Sequence, residues 1–191
     1  MLATLHERNG YPPLWPRNQG FSGLVFIMLG QQVSTASQAA AYRRLQSVAG
    51  RVTPAALLRQ GEEGLQAAGL TRQKQRYCLA LADAVHTRRL RLAALAQAPD
   101  DAVREALQAI PGIGRWTADV YLFVGLRRPD VWPVGDLALD KAVRRLAPLP
   151  PGSDTEAVAK HAQRWAPWRA VAARMLWQDY LARPRHYRPH A

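Results

Sequence analysis

The sequence predicts an all-α protein. Alternating polar–apolar strand patterns are scarce, apolar residues recur at helical spacing, and start and stop residues for helices repeat along the chain. Taken in order, residues 1 to 19 read as irregular, because Pro12, Pro13 and Pro16 prevent a long helix. A helix is expected from Phe21 to about Gln31 and another from near Ser34 to Ala49. Thr53-Pro54 pairs a capping side chain with a first-turn proline and opens a helix through Arg59. Gly61 and Gly64 flank a short helix that ends at Gly69, and Thr71 caps the next, where Tyr77, Leu81 and Val85 share one face. A short Leu92–Leu95 helix precedes one from Asp101 to Ala109, and Arg115 to Gly125 follows. After a proline-interrupted loop come Asp136–Leu146, Asp154–Trp165 and Pro167–Ala182, with a basic tail from Arg183 onward that reads as frayed. Leu122, Phe123, Val143, Leu146 and Met175 fall on core faces, and Trp165 and Trp168 read as clamps between helices.

Composition narrows the function classes. At 191 residues the chain can bury a sizeable core as one domain or two intimate lobes. A net charge of +12 and a pI of about 11.0 are the footprint of a protein that binds a polyanion. The apolar run near Leu24–Leu29 is too short for a bilayer span, and His6, Glu7 and Arg8 interrupt any secretory signal. The expectation is a cytoplasmic monomer, nucleoid-associated in a bacterium, with no membrane partner. Cys78 is the only cysteine and sits in an apolar helical run, so a four-cysteine iron–sulfur cluster is excluded.

The chemistry concentrates in Leu107-Gln-Ala-Ile-Pro-Gly-Ile-Gly-Arg-Trp-Thr-Ala118 and in Trp132-Pro-Val-Gly-Asp136. The first is a helix, a Pro-Gly-x-Gly turn and a second helix. Glycines there let backbone approach a phosphate, and the following helix start offers unpaired N–H groups to an anion. The second returns one carboxylate at a helix start, where negative charge is favoured. By position alone Asp136 is equally an ordinary N-cap, worth about 1 kcal/mol to its helix.

Gln31-Gln-Val-Ser34, Ile110-Pro-Gly-Ile-Gly-Arg-Trp-Thr-Ala118, Pro133-Val-Gly-Asp136 and Trp165-Ala-Pro-Trp-Arg169 occur in that order. Together they resemble the helix-hairpin-helix, Gly/Pro-rich loop, aspartate superfamily of DNA base-excision glycosylases, and within it the 3-methyladenine DNA glycosylase II branch. The resemblance covers about residues 20 to 182. It implies a two-lobed helical bundle with an inter-lobe catalytic cleft, a hairpin at about 101–125 and a catalytic loop-helix at 130–147. Branch members with an N-terminal β-rich domain differ from this chain, which has only some 20 residues before that point.

The resemblance also assigns residues. Asp136 matches the catalytic carboxylate, which would stabilise the cationic sugar that forms as a base departs and orient the attacking water. Bifunctional relatives carry a nucleophilic lysine just after the hairpin; the matching position is Trp116, and Lys74, Lys141 and Lys160 lie elsewhere, so the chain reads as monofunctional. Trp116 and Trp177 match pocket positions, where an indole face attracts a cationic alkylated base by roughly 0.5–2 kcal/mol. Relatives often carry a further pocket tyrosine where this chain has Val120; Tyr121, one residue on and turned about 100° away, is the candidate pocket residue. Gln32 matches the residue inserted into the gap left by a flipped base, and Gln31 reads as a polar support for the Asp136 loop. Gly112, Ile113, Gly114, Arg115, Thr117 and Lys141 are expected to hold double-stranded DNA that contains a damaged base. The carbonyls of Gln108, Ile110 and Ile113 match those that bind a structural Na+ or K+; no cofactor is required. Removal of another lesion, such as uracil, a mismatched base or an oxidised purine, and a non-catalytic hairpin module remain the alternatives.

Overall fold

Side-chain caps account for where five of the helices begin. Ser34, Thr53, Thr71, Asp136 and Asp154 each adopt an extended backbone and accept a hydrogen bond from the first helical turn. The computed structural model describes residues 1–14 and 19–182. The expected tail from Arg183, with His186 and His190, lies outside the described residues. Within them all regular structure is helical: α1 (Leu2–Asn9), α2 (Gly20–Leu29), α3 (Thr35–Ala49), α4 (Pro54–Ala67), α5 (Arg72–His86), α6 (Leu92–Leu95), α7 (Asp100–Gln108), α8 (Arg115–Val120), α9 (Leu137–Leu146), α10 (Thr155–Ala162) and α11 (Arg169–Ala182). A π-helical turn, Tyr121–Gly125, continues α8, and a 3-10 turn, Gln163–Trp165, continues α10. No helix among the described residues is long and apolar enough to cross a membrane.

One expectation here needs correction. The N-terminal segment is not irregular: Leu2–Asn9 is helical, because the prolines lie beyond Gly10 and Leu5 is buried. The break expected at Gly61 is present: the glycine takes φ +60° and ψ −164°, non-helical values that divide α4 into two helical segments across a kink.

The chain divides into two compact units, Pro16–Arg127 and a discontinuous one made of Met1–Trp15 and Arg128–Ala191. In the first, α2 is buried nearly all round and packs on α3, α5, α6 and α8, while α4 packs on α5 and α7 on α8. Its core is Leu24, Val25, Leu29, Leu45, Leu57, Leu65, Leu81, Leu107, Leu122 and Phe123. In the second, α11 packs on α9 and α1, and α9 on α10, around Leu5, Leu139, Val143, Val158, Ala173 and Leu176. Trp165 packs against Trp132 and His161, as a clamp should. Trp168 does not: it is 60% exposed.

Candidate functional site

In the Pro16–Arg127 unit the site is the hairpin between α7 and α8. Asp100 and Asp101 occupy the first turn of α7, where they oppose the positive end of its dipole. At the turn, Gly112 has φ +87°, and a Cβ there would stand 2.2 Å from Cγ of Tyr77 on α5. Both conformation and space therefore demand glycine. Gly114 is different: its φ is −92°, and nothing lies within 4 Å of where a Cβ would project. Internal packing gives no reason for a glycine there, and the opening at the start of α8 suits a close ligand.

Asp119 is fully buried and holds the two helices together. Its oxygens accept from Arg104 Nε (2.7 Å) on α7 and Arg115 Nε (2.9 Å) on α8, and Arg104 also reaches Asp101. The Arg115 side chain remains 55% exposed. Gln31 supports this hairpin rather than the Asp136 loop it was expected to support: Nε2 donates to the Gly112 carbonyl (2.8 Å) and to Thr117 Oγ1 (2.9 Å). Gln32 beside it is exposed, with φ +58°.

Three hairpin expectations change. Thr117 was expected to touch DNA, but it is 2% exposed and its hydroxyl accepts from Gln31, so its side chain is interior. Tyr121 was expected to line a base pocket; it is 1% exposed, and its hydroxyl accepts from the Gly20 N–H at 3.0 Å. One residue along a helix is a turn of about 100°, and that turn takes the ring into the core. Ile113 is buried as well, leaving only its backbone for a ligand. Trp116 is half-buried, and Gly112, Gly114 and Arg115 reach the surface. The Ile110 carbonyl accepts from Ile113 N–H (3.0 Å), and Gln108 is exposed.

In the discontinuous unit, Asp136 ends a tight turn. Its N–H donates to the Pro133 carbonyl (3.2 Å), and Gly135 between them has φ +83°. The carboxylate is 8% exposed, and three donors converge on Oδ1: the Ala138 N–H (3.0 Å), the Leu139 N–H (2.9 Å) and the Trp177 indole N–H (3.0 Å). Asp136 is therefore a helix cap as well as the candidate catalytic carboxylate. Trp177 is half-buried on α11, and its indole edge is what meets Asp136. Asp130 fixes the start of that helix by a two-pronged bond to Arg169 (2.7 and 2.8 Å), which holds the Asp130 carboxyl below its usual range. Two residues past Trp177, buried Asp179 accepts from Arg8 and Asn9 of α1 and from Arg145 of α9. Lys141 on α9 is exposed.

Sequence reasoning missed Asp119, Asp130, Asp179 and the true partner of Gln31. Only the Arg115–Asp119 pair carried a local signal, its i,i+4 spacing. Cys78 is buried in α5, and burial pushes its thiol up to about 12, the character of an inert spacer.

The sequence and the fold both match those of known proteins. The family described as HhH-GPD superfamily base excision DNA repair protein matches residues 25–167. DNA-3-methyladenine glycosylase 1 of Schizosaccharomyces pombe is 28% identical over 172 residues, 85% of this chain and 73% of that protein. A Mycobacterium tuberculosis protein named probable bifunctional transcriptional activator/DNA repair enzyme AlkA is 43% identical over 74 residues, 39% of this chain and 14% of the relative, so the match spans a small part of that protein. Among solved structures, the S. pombe 3-methyladenine DNA glycosylase in complex with abasic DNA superposes with a TM-score of 0.82 at 28% identity, covering 93% of this chain and 88% of that one. The DNA-3-methyladenine glycosidase of Bacillus halodurans superposes with a TM-score of 0.77 at 32% identity, covering 94% and 83%. With three-quarters of its length matched, the chain belongs to the helix-hairpin-helix, Gly/Pro-rich loop, aspartate superfamily of base-excision DNA repair proteins.

Proposed function

We propose that this protein is a monofunctional DNA glycosylase that flips an alkylated purine of the 3-methyladenine or 7-methylguanine type out of double-stranded DNA and hydrolyses its N-glycosidic bond. The observation that carries the reading is Asp136, a carboxylate fixed by three donors at the position the superfamily reserves for its aspartate. As the bond between C1′ and the purine nitrogen breaks, its electron pair leaves with the base and positive charge builds on the sugar. A preorganised carboxylate stabilises that charge by about 3 kcal/mol. Water then adds its oxygen to C1′, and its proton passes to Asp136 or to the departing base. The absence of a lysine at Trp116 leaves no amine to form a Schiff base, so the product is an intact strand with an abasic site.

The relatives named as 3-methyladenine glycosylases support the alkylated substrate, and the half-buried Trp116 and Trp177 suit a cationic base. The open space at Gly114, the exposed Arg115 and Lys141, and the net charge of +12 suit phosphate contacts that grip without reading sequence. The carbonyls of Gln108, Ile110 and Ile113 come from one turn and are hard oxygen donors, which fits a Na+ or K+ that ties the hairpin to a phosphate.

Asp136→Asn tests the proposal. Release of 3-methyladenine and 7-methylguanine from duplex DNA should fall by at least about 100-fold while DNA binding survives. Base release near the wild-type rate would overturn the mechanism.

A further inference from the structure

The turn that carries Gln32 is held from outside by α5. Lys74 on that helix donates from Nζ to the carbonyl of Leu29 at 2.7 Å, and Leu29 is the last residue of α2. Helix ends leave their last carbonyls without intrahelical donors, and the end carries partial negative charge. At α2 each of these carbonyls is met. Phe26 accepts from Gln38 Nε2 (2.8 Å), Ile27 from Gly30 N–H (3.0 Å), Met28 from Gln31 N–H (3.3 Å) and Leu29 from the Lys74 ammonium. Gly30 is glycine because the Gln38 amide crosses over it: a Cβ there would stand 2.5 Å from Nε2.

The same helix touches the hairpin. Tyr77, three residues after Lys74 and so on the same side of α5, lies against Gly112. Gln31 then joins the turn to the hairpin directly, through the Gly112 carbonyl and Thr117. Between these anchors stand Gln32 and Val33, both exposed, with Gln32 in the left-handed conformation, which costs a non-glycine residue about 1 kcal/mol. A strained tip of this kind persists only where its flanks are over-determined. Burial lowers the readiness of Lys74 to hold its proton, so the fold bears a cost to keep an ammonium there.

We propose that Lys74 is a positioning residue for duplex invasion: by clamping the end of α2 it sets the height of the Gly30–Val33 turn, so that Gln32 enters the gap left by a flipped base while the hairpin grips the backbone. The proposal rests on Gln32 being the inserted residue. Lys74 itself needs no contact with DNA.

The test compares affinity of the full-length protein for two duplexes identical except that one carries a tetrahydrofuran abasic-site analogue. Damage to the fold or the hairpin weakens both, whereas a misplaced tip weakens only the first. Lys74→Met should lower the preference for the abasic analogue about tenfold while binding of the undamaged duplex stays within about twofold. Lys74→Arg, which restores a cationic donor, should retain the preference, and Gln32→Ala should lose it with no further loss in the Gln32→Ala/Lys74→Met double variant. If Lys74→Met does not fold, Lys74→Gln supplies the same comparison. An unchanged preference in Lys74→Met, or an equal loss on both duplexes, overturns the role of Lys74 provided that Gln32→Ala loses the preference. If Gln32→Ala retains it, the insertion reading itself is wrong, and the assignment of Lys74 falls with it.

Discussion

Trp177 and Gln32 each do something that their residue type alone does not announce. A tryptophan in this superfamily invites a reading in which its face meets the base, yet here the indole N–H donates to Asp136 Oδ1. Trp177→Phe keeps an aromatic face and deletes that donor. Losing one hydrogen bond to a charged group, about 1.5 kcal/mol, should slow single-turnover base release about tenfold with undamaged-DNA binding unchanged. A rate equal to wild type would show that the other donors suffice. At Gln32 the conformation conflicts with the side chain, so Gln32→Gly should raise thermal stability by up to about 1 kcal/mol and reduce selectivity for abasic over intact DNA. Asp136 was legible because Pro133-Val-Gly-Asp136 advertises both a turn and a helix start. The edge of Trp177 and the inward turn of Tyr121 were not, since periodicity places a side chain on a face but does not say what that face meets.

The α7–α8 hairpin was the most readable element, because glycine and proline mark its turn and acidic residues mark its start. What holds it is long-range and was invisible: Asp119 beneath it and Tyr77 beside it. Asp119→Ala leaves Arg104, whose side chain is only 14% exposed, without its main anion. Unfolding should become easier by about 3 kcal/mol, read by thermal denaturation, and phosphate binding should weaken as Arg115 loses its tether. Gly112→Ala combines a forbidden φ with an overlap on the Tyr77 ring, at about 2–4 kcal/mol; adding Tyr77→Ala should recover the overlap and not the dihedral cost. The error at the N-terminus has a physical origin. Pro12, Pro13 and Pro16 were allowed to veto the residues before them, although a proline constrains chiefly its own turn and its immediate neighbour. Gly61, by contrast, does end a helical path, because its φ of +60° is not helical.

At the scale of the molecule, charge and pH act differently. The excess of arginine should make duplex affinity fall steeply with salt, with a slope of about 0.9 per neutralised phosphate, and a nearly flat salt dependence would count against phosphate-dominated binding. Asp130 governs the acid side of stability. Its folded carboxyl is held below the ordinary value by Arg169, so its contribution is present above the unfolded value, near pH 4, and disappears as pH falls through the folded one. Asp130→Asn should therefore cost about 1 kcal/mol at neutral pH, and the two unfolding curves should converge as the solution is acidified below pH 4. The helical class and most element positions followed from local punctuation. The discontinuous unit did not, because no local pattern reveals that residues 1–14 belong with α9 to α11.

That discontinuity makes the first nine residues a remote brace for the Asp136 turn. Arg8 and Asn9 engage Asp179, which lies two positions beyond the tryptophan that restrains Asp136. Clipping the chain before Gly10 should thus impair turnover while leaving the grip of the hairpin on DNA intact, an injury felt more than a hundred residues downstream of the cut.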